Sequence, residues 1–159
     1  MQASIKHDTL QFERTFQCPL QTLWNAFESA EARARWGVPS PDAIIIYDKE
    51  DFRVGGRDLL RCGGKDDPRF RVEVTYLDIL PSRRIIHSEQ VSDEDGLLSC
   101  ALHTIELAEA PDGIRLSITV QIASIGNADM AGGVRQGMAA ALDNLAADLT
   151  RARRAATRH

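Results

Sequence analysis

The sequence predicts an α+β fold in which a curved antiparallel sheet packs against one long C-terminal helix. Two observations support this prediction. Residues 43–124 form short runs of alternating apolar and polar side chains separated by turn residues, which is typical of consecutive antiparallel strands. Residues 130–154 instead repeat apolar side chains at helical spacing. The resulting order, one strand, two short helices, six strands and a long helix, is that of an α+β domain.

The N-terminal part is predicted to be a half-buried strand followed by two short helices. Residues 10–16 alternate apolar with polar side chains, apart from Arg14, the period of a strand. Pro19 suits the start of a helix, and apolar residues then follow at helical spacing. Ser29 can cap a second short helix, which Gly37 can end.

The middle of the chain is predicted to be almost continuous strand. Three segments rich in glycine, proline and aspartate mark turns, at residues 63–68, 93–96 and 111–113. The alternation is clearest in residues 70–76, where apolar residues 70, 72, 74 and 76 alternate with charged or polar residues 71, 73 and 75. The six predicted strands cover residues 43–47, 54–62, 70–76, 84–91, 97–107 and 114–122.

The C-terminal helix carries one apolar stripe. Val134, Met138, Leu142, Leu145 and Leu149 recur at intervals of three or four residues, with charged side chains elsewhere on the helix. Such a stripe is typical of a helix that buries one face, here against the sheet. The basic residues after residue 150 complement the dipole at the end of this helix.

Composition limits the classes of partner. The 159 residues fit a single domain, predicted to span residues 1–159, with 43% hydrophobic and 26% charged residues. The net charge of −4 gives no indication of a nucleic-acid or anionic-membrane partner. No apolar run reaches the ~20 residues that span a bilayer. The N-terminus has no apolar signal-peptide region.

The cysteines indicate neither a disulfide framework nor a zinc site. Cys18, Cys62 and Cys100 are odd in number, far apart and outside any CxxC motif. We therefore expect a reducing, cytoplasmic location, with no metal and no cofactor.

Two short motifs are the most informative features of the chain. Residues 51–56, DFRVGG, place paired glycines in a tight turn, and residues 76–81, YLDILP, form a strand that a proline must end. With Trp24 and Trp36, they resemble the family of bacterial proteins related to the activator of Hsp90 ATPase, in the START/Bet v 1-like (SRPBCC) superfamily. Further matching positions are Arg14, Pro19, Ile79, Arg84, Ile85, Thr104, Ile105, Glu106, Leu107, Gly113, Leu116, Gly137, Leu142 and Leu145.

The resemblance implies a helix-grip fold, in which the sheet and the long helix enclose an apolar cavity. Members of this superfamily include ligand carriers, cyclases and co-chaperone-like domains, so the resemblance predicts the fold more specifically than the function. This chain departs from the usual pattern at Met138, which follows Gly137 where relatives often have tryptophan. A flexible methionine there makes the helical wall of the cavity more adaptable.

Strand alternation indicates which side chains face the predicted cavity. His87 shares a face with Ile85 and Val91, and His103 shares one with Ile105. Two histidines on adjacent strands favour a polar spot in the wall, although a single such histidine is more often hydrogen-bonded core. The predicted ligand-binding residues are Trp24, Leu60, Val72, Tyr76, His87, His103, Ile118, Met138 and Leu142.

Three functions are consistent with the sequence. The leading one is non-catalytic binding of a small hydrophobic or amphipathic molecule, because no catalytic motif is present and no residue is assigned a catalytic role. The second is a cyclase- or hydrolase-type enzyme that uses His87 or His103 as acid or base. The third is a co-chaperone-like domain with an Hsp90-type partner. A homodimer is compatible with all three.

Overall fold

The computed structural model describes residues 4–157, with side chains up to residue 155. The last two residues of the chain, Arg158 and His159, belong to the basic C-terminal segment and lie outside the described residues. The elements in chain order are β1 Ile5–Phe16, α1 Leu20–Glu28, α2 Ala30–Trp36, β2 Ala43–Lys49, β3 Arg57–Gly64, β4 Asp67–Leu80, β5 Arg84–Asp93, β6 Gly96–Ala110, β7 Gly113–Ile125 and α3 Met130–Thr157.

The strands form one antiparallel sheet of seven strands in the order β1-β7-β6-β5-β4-β3-β2. Every neighbouring pair is antiparallel, so the two helices inserted after β1 carry the chain from one edge of the sheet to the other. This arrangement confirms the predicted α+β class and the helix-grip fold.

Helix α2 begins and ends at the predicted residues, Ser29 and Gly37. The Ser29 hydroxyl accepts a hydrogen bond of 3.1 Å from the Ala32 backbone, which caps the start of α2. The Gly37 N–H donates to the Arg33 carbonyl at the end of α2, at 2.8 Å. The indole N–H of Trp36 donates to the Ala26 carbonyl, at 2.9 Å, and thereby joins α2 to α1.

The motif at residues 51–56 is a turn, and the predicted strand start at Val54 is wrong. Gly55 has a φ of +83°, a conformation that favours glycine, and Gly56 donates to the Arg53 carbonyl at 2.7 Å. The Arg53 and Asp51 side chains brace this turn by an ion pair of 2.9 Å. Strand β3 therefore begins only at Arg57.

The loop predicted at residues 63–68 is shorter than expected. Strand β3 continues to Gly64 and β4 begins at Asp67, which leaves a tight turn between them. Gly63 has a φ of +138°, and the strand register shifts between Cys62 and Gly64. This irregularity lets pairing continue through glycines that the sequence pattern assigned to a loop.

Helix α3 packs across the sheet, and polar contacts join it to β1 and to the segment after α2. Arg14 of β1 forms an ion pair of 2.8 Å with Asp143 of α3. The Asn144 amide donates to the carbonyls of Trp36 and Val38, at 3.2 and 3.1 Å, which fixes the segment after α2 against the helix. None of the helices within residues 4–157 is long and apolar enough to cross a membrane.

Candidate functional site

A cavity of about 500 Å³ lies between the sheet and α3. Strands β2 to β7 supply most of its wall, and α1, α2 and the first half of α3 close it. Most lining side chains are apolar, but one end is polar. Three lining residues, Pro39, Asp129 and Gly133, are exposed, so the opening lies between the segment after α2 and the first turns of α3.

The structure brings seven of the nine predicted residues to this cavity. The two histidines are directly opposite each other on β5 and β6, and Tyr76 of β4 is opposite His87. Strand register therefore places three polar side chains in one row across the sheet. The seven lining residues are Leu60, Val72, Tyr76, His87, His103, Ile118 and Met138.

Trp24 and Leu142 do not line the cavity, although both are buried. Trp24 packs edge-on against Phe52, at 5.9 Å between ring centroids, and Phe52 in turn contacts Tyr76. Helix α3 contributes cavity residues only as far as Ala141. Leu142 belongs to the close-packed core, because from this point α3 packs against the short helices and β1.

A buried polar network occupies one end of the cavity. Arg33 of α2 donates to Tyr47 Oη at 3.2 Å, to the Phe27 carbonyl at 2.5 Å and to Asp58 Oδ2 at 3.1 Å. Tyr76 Oη also donates to Asp58 Oδ2, at 2.5 Å. The other oxygen of Asp58 accepts from the backbone N–H of residue 51, at 2.9 Å. Asp58 is only 1% exposed, so these bonds compensate for its burial.

The electrostatics of this network keep its phenols neutral and its guanidinium charged. Burial raises the pKa of Tyr76, although Arg33 opposes this effect, and burial likewise raises the pKa of Tyr47. Burial disfavours the charged form of Arg33, but Tyr47, Tyr76 and Asp58 beside it outweigh that effect and raise its pKa. The network is therefore an ion pair with two neutral hydroxyl groups attached.

A second cluster contains the two histidines and Glu89. The imidazole rings of His87 and His103 stack at 4.6 Å between centroids, and His103 Nε2 lies 3.0 Å from Glu89 Oε2. The Tyr76 ring meets His87 edge-on at 6.0 Å. His87 Nδ1 is buried and has no hydrogen-bond partner among the described residues.

Two of the three members of this cluster, His87 and Glu89, have strongly shifted pKa values. Burial, and then the proximity of His103, lower the pKa of His87 to about 3, so its ring is neutral at pH 7. Burial disfavours an ionised Glu89, but the charge and hydrogen bonding of His103 outweigh it and lower the pKa of Glu89 to about 2. The cavity therefore contains an ionised Glu89 carboxylate that contacts His103, with the neutral ring of His87 stacked on His103.

The predicted set of ligand-binding residues omits five polar lining residues, Arg33, Tyr47, Asp58, Glu89 and Asp129. Strand alternation places two of them on inward faces, because Glu89 shares the parity of His87, and Asp58 that of Leu60, but it did not identify them as ligand-binding residues. No local signal could have found Arg33, whose partners lie 6 to 25 residues away along the chain.

No metal site is visible in the described part of the chain, and the cysteine that lines the cavity is mostly protonated at pH 7. Residues 4–157 contain no group of three or more potential metal ligands. Cys62 lines the cavity, but burial raises the pKa of its thiol to about 11, which leaves little thiolate at pH 7.

Several solved structures are similar to this chain. One is the Mll3558 protein of Rhizobium loti, which is 33% identical, with a TM-score of 0.81 over 92% of this chain and 99% of that one. A second is a protein of Rhizobium leguminosarum that is 26% identical, with a TM-score of 0.81 over 94% and 98%. A third is the CV1439 protein of Chromobacterium violaceum, which is 25% identical, with a TM-score of 0.78 over 89% and 96%. No curated protein matches the chain.

The family comparison agrees with the resemblance drawn from the sequence motifs. The family described as "Activator of Hsp90 ATPase homolog 1-like protein" matches residues 17–150, from the end of β1 to the last part of α3. This range contains both tryptophans, the DFRVGG turn and every residue that lines the cavity. The chain belongs to the activator of Hsp90 ATPase homologue 1-like family.

Proposed function

We propose that this protein binds a small amphipathic molecule in the cavity between the sheet and α3, without converting it chemically. The observation that carries the proposal is a cavity of about 500 Å³ with an apolar wall and one polar end. Ligand sites in proteins typically combine these two features. Burying an apolar ligand of this size gives on the order of −8 kcal/mol, which corresponds to micromolar affinity.

The state of the polar groups supports binding over catalysis. Arg33 and Tyr76 both already donate to Asp58, so these three groups stabilise the wall of the cavity and leave little reactivity. Helix α3 contributes Met138 to the wall of the cavity, and the flexible side chain of this residue can adapt to ligands of different shape.

Binding can be tested by fluorescence titration with the neutral dye N-phenylnaphthylamine, whose emission rises in apolar surroundings. The variant Met138→Trp fills the cavity and should abolish the signal. Gln136→Trp places the same side chain on the exposed side of α3, two residues earlier, and should leave binding unchanged. Equal binding by wild-type protein and Met138→Trp would contradict the proposal.

A second candidate function is acid–base catalysis, favoured by the 3.0 Å contact between His103 and Glu89 inside the cavity. Product analysis of bound ligands separates the two functions. Turnover that His103→Ala or His87→Ala abolishes in a folded protein would favour the enzyme. If no small molecule raises the melting temperature but an Hsp90-type partner does, both candidates give way to a co-chaperone-like role.

A further inference from the structure

The charged groups of the cavity differ in whether the protein already engages them. Each side-chain nitrogen of Arg33 donates to a protein acceptor, and both oxygens of Asp58 accept from protein donors. Their side chains are 13% and 2% exposed. The two charges of this pair therefore offset each other, and the pair offers a ligand neither an unpaired cation nor an unpaired anion.

Glu89 is the charged group of the polar end that remains open to the cavity. Its side chain is 25% exposed, and among the described residues its one polar side-chain partner is His103. The carboxylate is ionised at neutral pH, since its pKa is lowered to about 2. A carboxylate accepts more hydrogen bonds than this single contact uses, so it retains unused acceptor capacity.

The rest of the wall offers no compensation for a negative ligand. Among the described lining residues, Arg33 is the only lysine or arginine, while a further carboxylate, Asp129, lies at the opening. The stacked His87 is neutral at pH 7, and His103 is already paired with Glu89. An anionic head group would therefore approach two carboxylates and find no unpaired fixed cation.

We propose that the cavity selects ligands whose buried polar group donates a hydrogen bond to the Glu89 carboxylate, a hydroxyl or ammonium group, and rejects ligands that end in a carboxylate. This inference rests on the proposed binding function. The apolar part of the ligand extends from Glu89 along Val134 and Met138 of α3, towards the opening at Gly133.

The test compares three probes that share one alkyl chain and differ only in the head group: decanol, decylamine and decanoate. Each probe is titrated into protein with bound N-phenylnaphthylamine at neutral pH, below the concentration at which the probe aggregates, and the loss of dye fluorescence measures its affinity. We expect decanol or decylamine to bind at least about tenfold more tightly than decanoate, because a buried unpaired charge is costly. Whichever of the two binds more tightly shows whether the preferred donor is neutral or charged.

Glu89→Gln then tests the assigned residue, because it keeps the shape of the side chain but removes its charge and adds a donor. We expect the preference against decanoate to shrink by about tenfold in this variant. Glu106→Gln, an exposed position on the neighbouring strand β6, should keep the wild-type preference. Circular dichroism and the melting temperature check that both variants fold.

The possible failures are distinguishable. If decanoate binds as tightly as decanol and decylamine, the head-group inference is overturned while the binding function stands. If a folded Glu89→Gln keeps the full wild-type preference, the assignment to Glu89 is wrong. If no probe and no dye binds, the proposed function fails and this inference fails with it. Should Glu89→Gln not fold, the ranking of the three probes on wild-type protein still decides.

Discussion

Removal of the Asp58 carboxylate should destabilise the protein far more than removal of an exposed carboxylate from the same sheet. Asp58→Ala leaves the Arg33 guanidinium, whose side chain is 13% exposed, without its counter-ion. It also leaves Tyr76 Oη and one backbone N–H without acceptors. Breaking a buried ion pair in this way costs about 3–5 kcal/mol, a large part of the stability of a typical domain.

Urea unfolding followed by circular dichroism measures this effect. With a denaturant slope of roughly 2 kcal/mol/M, the midpoint should fall by about 2 M. Asp48→Ala is the matched control, because Asp48 pairs with Arg61 at 2.9 Å but both side chains are nearly half exposed. Its midpoint should change little, since solvent screens such pairs. The double variant Asp58→Ala/Arg33→Met should recover part of the loss. Equal shifts for Asp58→Ala and Asp48→Ala would refute the argument.

Two further predictions concern pH and backbone conformation. The pKa of His87 is about 3 in the folded protein, against an ordinary value of 6.5, so the unfolded chain binds a proton first as the pH falls. Because of this group, the free energy of unfolding should fall by about 1.4 kcal/mol for each unit by which the pH is lowered from 6.5 to 3. The variant His87→Gln should therefore show a flatter pH dependence of the urea midpoint above pH 5. Parallel pH profiles for the two proteins would contradict this assignment. Gly113→Ala should destabilise by about 1–3 kcal/mol, because φ is +142° and a Cβ would lie 2.4 Å from the Phe16 carbonyl oxygen. Gly133→Ala, where a Cβ meets no atom within 4 Å, should instead raise the melting temperature through its higher helix propensity.

Sequence patterns predicted elements wherever one local rule governed the backbone. The alternation along β4 and β7 and the stripe of α3 each reflect a single buried face, so periodicity identified the strand, its inward side and the helix. The same patterns misplaced the start of β3 and the length of the turn after it. In both places the backbone follows glycines with positive φ angles, Gly55 and Gly63, and the alternation of apolar and polar residues does not indicate φ angles.

The candidate site divides in the same way. Strand alternation alone placed His87 and His103 on inward faces, since each residue's side is set by its own strand. The pairing of β5 with β6 then decided that their rings stack and that His103 meets Glu89, because strand register is a property of two segments together.

The sequence by itself therefore determined the class of fold, the order of its elements and part of the apolar wall of the cavity, namely Leu60, Val72, Ile118 and Met138. Only the tertiary structure decided the polar end, where α2 brings Arg33 to Asp58 of β3, 25 residues later in the chain. It also decided that Leu142 packs in the core, since the cavity ends where α3 meets the short helices. Periodicity states that a side chain is buried, but what surrounds it depends on segments distant in the sequence.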